Sequence, residues 1–492
     1  MECGLFSALA LALMAGVACA PWDSRAPSDG PSNLNDASGS PHAPGGTPGA
    51  GLLPPQLSPG GGDWTQYRFD AAGTWENPGS VAREEAAATT RAWVTSLGEY
   101  GWTQPIIRGD TVIATTGFTG RVVALEASTG ALRWTRDLNH VFTTACDPQP
   151  KHHGFYSAAA IDGDQVYAAS PDGNLYALDI ATGRTRWQVR VADPGFHGEF
   201  VESSPALSSK IGKVFLGVGS SFKCDPVEGR VLSVDPRTRN VVTKKLNAPG
   251  LTGSSVWSSI AIDEVASRIY VTTGDPAGHA LSDVPLAQAF VAMNANTLEP
   301  VDHWQNPGPG PNDNSDFGAS PTLFTRDDGT ELVAAPNKDG VLYVLQRNAL
   351  SAGPVWTYQL AVPGNPLLGQ GSLVSPTFTH GMLIGAGGTT PTGEPGSVVA
   401  FDPGTGAVKW KHVTPGFVIA AMPAVGDILI AVSNAYDFSW SQLELLDVND
   451  GTVVKTFETQ SATLGAPSVG RGLILWYQYS GELHALRIPD LP

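Results

Sequence analysis

A short two-strand pattern that recurs along the chain limits what this sequence can fold into more than any other feature. Its clearest copy, residues 173–187, runs Gly-Asn-Leu-Tyr-Ala-Leu-Asp-Ile-Ala-Thr-Gly-Arg-Thr-Arg-Trp. The alternation through Leu178 reads as a strand, the Asp…Thr-Gly segment as a tight turn, and the stretch ending on Trp187 as the returning strand. Leu175, Ala177 and Asp179 fall on one face of the first strand, Tyr176 and Leu178 on the other. Gly183 supplies the left-handed position that such a turn requires. Residues 120–134 and 396–410 repeat the pattern clearly, and weaker copies begin at Gly229, Phe290, Gly340, Leu443 and Gly481. Eight copies, most of them roughly 50 residues apart, have the spacing of propeller blades.

Each unit opens with a short apolar strand, often after Ser-Pro, as at Ser204-Pro205, Ser320-Pro321 and Ser375-Pro376. A second strand, the Ala-Leu-Asp strand and the Trp-ended strand follow. The expected fold is all-β: an eight-bladed β-propeller of four-stranded antiparallel blades. Seven blades is the alternative, because the copies at Leu443 and Gly481 are degenerate. The last repeat stops after Leu486, one strand short, while residues 90–97 look like an orphan outer strand ahead of the first repeat. Pairing the two closes the ring and removes its exposed edges. The recurrent tryptophans read as residues that dock one blade on the next. Outside this pattern, only residues 81–90 look able to form a turn or two of helix.

The front of the chain has a different texture. Residues 1–18 carry a short apolar run ending in small residues before Cys19, too short to span a bilayer comfortably. That is the shape of a bacterial lipoprotein signal, with Cys19 as the lipidated residue; a plain cleaved signal is the alternative, and Glu2 stands where a basic residue is expected. Residues 19–62 are rich in Pro, Gly, Ser, Asp and Ala and cannot bury enough surface to offset their ordering entropy. They read as a tether, leaving 63–492 as the propeller domain. The implied location is the periplasmic or surface side of the outer membrane, with membrane contact only through the lipid. Cys146 and Cys224 lie in loops of neighbouring repeats and are expected to form a disulfide in an oxidising compartment; two unrelated thiols is the other reading.

The formal net charge is −17. No basic cluster interrupts it, so nucleic acid is not an expected partner. There is no Gly-x-Ser-x-Gly elbow, no Walker loop, no His-Glu-x-x-His and no Cys-x-x-Cys-His. Two adjacent histidines, His152 and His153, point to opposite faces if they lie in a strand, which disfavours a shared zinc.

The Ala-Leu-Asp-x-x-Thr-Gly-x-x-x-Trp repeat, together with the opening Trp64-Thr-Gln-Tyr-Arg-Phe-Asp, resembles the quinoprotein (pyrroloquinoline quinone, PQQ) dehydrogenase superfamily. Residues 256–263, Thr272 to Pro276, Asp316 to Pro321 and Asn337 to Tyr343 are most similar to its polyvinyl-alcohol dehydrogenase branch. The same repeat occurs in BamB-type outer-membrane assembly lipoproteins, which are not enzymes. The resemblance implies an alcohol dehydrogenase using PQQ and calcium on a small or polymeric alcohol, or a non-catalytic propeller with an envelope protein partner. On the enzyme reading Trp257 stacks on the quinone, Asp275 and Asp316 bind calcium, Asp316 is the general base, and Lys338 polarises a quinone carbonyl. The sequence also departs from the family. A cofactor-contacting Glu falls on Trp102, a carboxylate-pairing Arg on His153, and a calcium-binding Glu on Phe222 beside Lys223, while a pair of adjacent cysteines is reduced to Cys146. Each candidate has a plainer role: Trp257 as a packing residue, Asp316 in a turn-rich loop, Lys338 in a hairpin turn.

Overall fold

The computed structural model describes residues 61–138, 140–142, 151–194, 198–220, 227–308 and 315–490. Among these, eight four-stranded antiparallel blades form one ring. The first blade is Ile106–Arg108, Thr111–Thr115, Arg121–Glu126 and Leu132–Asp137. The last takes Ser468–Gly470, Leu473–Tyr477 and Glu482–Arg487 from the end of the chain and Thr90–Ser96 from its beginning. The ring therefore closes as the truncated last repeat and orphan strand require. One six-residue helix, Arg83–Ala88, leads into the closing strand. Cys19, Cys146, Cys224, Phe222 and Lys223 lie outside the described residues.

The second and third strands of each blade are buried on both faces, as in Gln165–Ala169 and Asn174–Asp179, whereas outer strands such as Leu132–Asp137 are mostly exposed. Alternation within the inner strands is therefore not an inside–outside code: both faces meet a neighbouring blade, so both are apolar. The outer-strand tryptophans seal these contacts. Trp93, Trp134, Trp356 and Trp410 donate their indole N–H to Ala127, Ile180, Pro403 and Val448 carbonyls on the next blade. The turn glycine of that next blade (Gly130, Gly183, Gly406 or Gly451) is what each ring lies against. A Cβ at Gly183, where φ is +69°, would stand 2.5 Å from the Trp134 ring, so glycine there answers both the turn and the neighbouring indole.

Two belts hold the blades at the axis. Where most innermost strands begin, a residue precedes proline, and in four consecutive blades that position is serine. The Ala158 N–H donates to Ser204 Oγ, the Ser204 N–H to Ser259 Oγ, the Ser259 N–H to Ser320 Oγ and the Ser320 N–H to Ser375 Oγ, all at 2.8–3.0 Å. The Ser-Pro signature thus marks an inter-blade hydrogen bond. Three residues further along most innermost strands, and two further in blade 7, comes the second belt, formed by residues 64–77. Their carbonyls accept the N–H groups of Ile107, Ile161, Ile262, Leu323, Phe378 and Ala424 in turn. Gln66 Oε1 accepts from Leu207 and Asn77 Nδ2 donates to Val469 O, so the segment visits all eight blades in order.

Arg68 lies across the axis inside this circuit, fully buried. Its guanidinium donates to Pro321 O at 2.5 Å and Ile260 O at 2.6 Å, while its own N–H and Trp64 Nε1 both donate to Gln104 Oε1. Burial pulls its pKa down to about 10. One end of the central channel is thereby filled by the chain itself.

Candidate functional site at the open channel mouth

The position two residues before each serine-belt position sets the next layer outward. It is occupied by Trp102, Tyr156, Glu202 and Trp257 in blades 1 to 4, then by Gly318, Leu373, Ala420 and Leu464 in blades 5 to 8. Several neighbours in this layer touch. The Trp102 and Tyr156 rings are 6.0 Å apart, and a Cβ at Gly318 would collide with Trp257 on one side and Leu373 on the other. Leu464 joins Trp102 and Leu373 in one apolar cluster. Glu202 is the one charged member of the layer.

The charged sector lies on blades 4 and 5. Asp316 is buried where blade 5 begins, and Lys338 is held on a hairpin turn of the same blade. The turn is fixed by Asn337, which donates to Ser315 O at 2.7 Å, and by Asp339, which accepts from the Val341 N–H and the Tyr343 hydroxyl. Lys338 Nζ stands 2.7 Å from Asp316 Oδ1, and Trp257 Nε1 donates to Asp316 Oδ2 at 3.3 Å. Lys338 Nζ also sits 4.8 Å from the Trp257 ring centre, a cation–π contact. Trp257, Asp316 and Lys338 thus form one contact triad. Asp275 belongs to the same blade as Trp257; its carboxylate accepts from Gln288 Nε2 at 3.4 Å and its carbonyl from the Ser254 N–H. The four residues come from two adjacent blades.

The aromatic sector covers blades 7, 8, 1, 2 and 3. From Trp102, contacts run to Tyr156 and on to Phe200 at 6.4 Å, and in the other direction to Tyr479 at 5.9 Å and Phe438 beyond. Tyr100 stacks on Tyr479 at 5.5 Å. The histidines divide as two strand neighbours must: His152 packs on Phe118 and His153 on Phe200. Between the two sectors stands Glu202. Burial raises its carboxyl to about 7, with the Lys338 charge acting in the opposite direction. Loss of solvent raises the Tyr156 hydroxyl, and the charges of Tyr100 and Glu202 push it the same way. Sequence reading missed Glu202; its place two residues before Ser204-Pro205, where other blades put Trp, Tyr or Leu, was the available signal.

PQQ carries three carboxylates and needs a flat floor with cations around it. Here Lys338 covers a face of Trp257 and its charge is already met by Asp316. Trp102 fills the place the resemblance gives to a cofactor-contacting Glu, and His153 packs against Phe200. Calcium needs six to eight oxygens, yet one Asp316 oxygen faces the Lys338 ammonium and the other accepts from Trp257. Among the described residues no three His, Cys, Asp or Glu side chains gather in a way that could hold a metal ion. Among the described residues the donor set does not fit the quinone–calcium pair.

The chain is 28% identical over 257 residues to the quinoprotein ethanol dehydrogenase of Pseudomonas aeruginosa, covering 44% of this chain and 40% of that protein. It is 24% identical over 471 residues to a polyvinylalcohol dehydrogenase of a Pseudomonas species, covering 83% of this chain and 68% of the relative. Against three of the quinoprotein ethanol and alcohol dehydrogenases that it matches, the chain spans only 40%, 30% and 39% of their length. Among solved structures, a europium-containing methanol dehydrogenase matches 87% of this chain and 98% of its own with a TM-score of 0.68 at 16% identity. BamB of Moraxella catarrhalis matches 82% and 99% with a TM-score of 0.51, also at 16% identity. At those identities the likeness is one of fold. The profile of the family described as "Outer membrane protein assembly factor BamB" matches residues 77–249 and 228–490. The chain belongs to that family of PQQ-repeat β-propellers.

Proposed function

We propose that this chain is a binding propeller of the bacterial cell envelope, with the open channel mouth as its binding surface. The observation that carries the reading is the internal neutralisation of the Lys338–Asp316 pair, 2.7 Å apart and sealed against Trp257. A cation already satisfied by a buried carboxylate has little left to offer a tricarboxylate cofactor. On this reading residues 1–18 direct export, Cys19 carries lipid, residues 19–62 are the tether, residues 63–492 bind, and Cys146 pairs with Cys224. Titrating the purified domain with PQQ and Ca²⁺ while following tryptophan fluorescence tests it. No saturable change is expected, and tight PQQ binding would overturn the reading.

One observation favours a second reading. Trp257, Asp316 and Lys338, the residues that the family resemblance links to quinone chemistry, meet in one contact triad. If the chain is a quinoprotein alcohol dehydrogenase, Lys338 is the electrophile and Asp316 the proton acceptor. Dye-linked alcohol oxidation in the presence of PQQ and Ca²⁺, lost in Asp316→Ala and Lys338→Ala alike, would establish it.

A further inference from the structure

The aromatic sector and Glu202 together form a site to which neither reading above assigns a ligand. Trp102, Tyr156 and Phe200 make a continuous wall across blades 1 to 3, with successive ring centres 6.0 and 6.4 Å apart and planes turned by 48° and 69°. Tyr100 and Tyr479 extend it on the far side of Trp102, each nearly perpendicular to the indole at 84° and 87°. Rings set at such angles present faces and edges from several directions. Trp102 and Tyr156 remain partly open to solvent, and Phe200 is buried against Tyr156 behind them. Glu202 follows Phe200 by two residues and lies in the same layer as Trp102 and Tyr156. Among the described residues no Lys, Arg or His forms an ion pair with Glu202; Lys338, whose charge acts on it, is paired with Asp316. Once Glu202 is ionised, above about pH 7, Lys338, Asp316 and Glu202 bring one positive against two negative charges.

We infer that the Trp102–Tyr156–Phe200 wall with Glu202 is a binding site for an organic ammonium group, such as the quaternary nitrogen of a choline-like ligand. The inference rests on the binding-propeller reading and names the ligand chemistry at that mouth. Such cations are weakly hydrated and are held by aromatic faces through the ring quadrupole, with a carboxylate fixing the charge. A tricarboxylate quinone would meet Glu202 as a like charge, whereas an ammonium group meets it as a counter-ion. The protein's net charge of −17 draws the same class of ligand to the surface.

The experiment is a tryptophan-fluorescence titration of the purified chain with choline, with tetramethylammonium, and with the uncharged tert-butyl analogue of choline. Choline and tetramethylammonium are expected to bind saturably, roughly tenfold or more tighter than the neutral analogue. Glu202→Gln and Trp102→Leu should each weaken choline roughly tenfold, while Tyr156→Phe, which keeps the ring, should change it little. Thermal melts of the variants report whether they are folded, and Trp102→Phe serves if Trp102→Leu is not. Equal affinity for choline and the neutral analogue would overturn the proposal, as would binding that survives both substitutions or the absence of saturable binding. PQQ with Ca²⁺ is titrated separately. Tight PQQ binding defeats the binding-propeller reading, whereas failure of choline alone defeats only the ammonium site.

Discussion

The two ends of the central channel are built on opposite principles. At the closed end, one segment of the chain, residues 64–77, bonds backbone to backbone with six blades and through side-chain amides with the other two. At the open end, each blade instead contributes a side chain, and these differ from blade to blade. Backbone hydrogen bonding is indifferent to side-chain identity, so the closed end serves stability whatever the repeats mutate to. The open end holds the variation, which is where a shared scaffold acquires separate functions.

The largest effect should come from the closed end. Deleting residues 64–77 removes a partner from every innermost strand and leaves seven N–H groups and the Val469 carbonyl without it. Loss of a cooperative urea transition is expected, whereas trimming residues 20–55 should leave the transition in place. A melt of the 64–77 deletion equal to that of the trimmed chain would erase the distinction between the ends.

At the open end, the charged sector should be the most sensitive point. Lys338→Met leaves the Asp316 carboxylate buried without its cation, for a loss of about 3 kcal/mol in urea unfolding. Adding Asp316→Leu should restore most of it, because the buried pair offsets its own desolvation only when both members are present. Between the ends, Ser259→Ala strips the acceptor from the buried Ser204 N–H, and about 1.5 kcal/mol is expected.

The smallest effect is one of pH. Glu202 is raised from 4.5 to about 7, so the folded protein holds a proton that the unfolded chain has already released in that interval. Its contribution is fully present below about pH 4.5 and is lost as pH rises through about 7. Glu202→Gln should therefore flatten the fall in stability across that window when wild type and variant are compared. A parallel pair of curves would mean that Glu202 titrates as an ordinary surface acid.

The same contrast explains what the sequence made legible. The blades, their closure by residues 90–96 and the docking tryptophans were readable because each rests on a local, repeated pattern: strand alternation, a Thr-Gly turn, a terminal Trp. The left-handed glycine at 183 was readable too, but not its second duty of admitting the Trp134 ring, which belongs to another blade. Ser204, Ser259 and Ser320 were visible only as part of strand openings. Their bonding partners lie 46 to 61 residues away, so the belt exists only after the ring has formed. Glu202 was hidden for the same reason. Nothing in Phe200-Val-Glu-Ser-Ser-Pro205 marks it until the blades are aligned and it appears in a layer otherwise free of charge. Trp257, Asp316 and Lys338 were singled out through family resemblance, and their contact depends on the pairing of blades 4 and 5.

The circuit of residues 64–77 has a consequence for how this protein can evolve. Propellers change size when a repeat is duplicated or lost, and the blades themselves would tolerate either, since each contacts only its neighbours. The circuit does not. It assigns one short stretch to each blade in order and ends at the eighth, through Asn77 and Val469. A ninth blade would find no stretch to bond, and a seventh-blade ring would leave a surplus loop of buried polar backbone on the axis. The segment acts as a gauge of copy number, written before the first repeat begins, and it confines innovation to substitutions at the mouth.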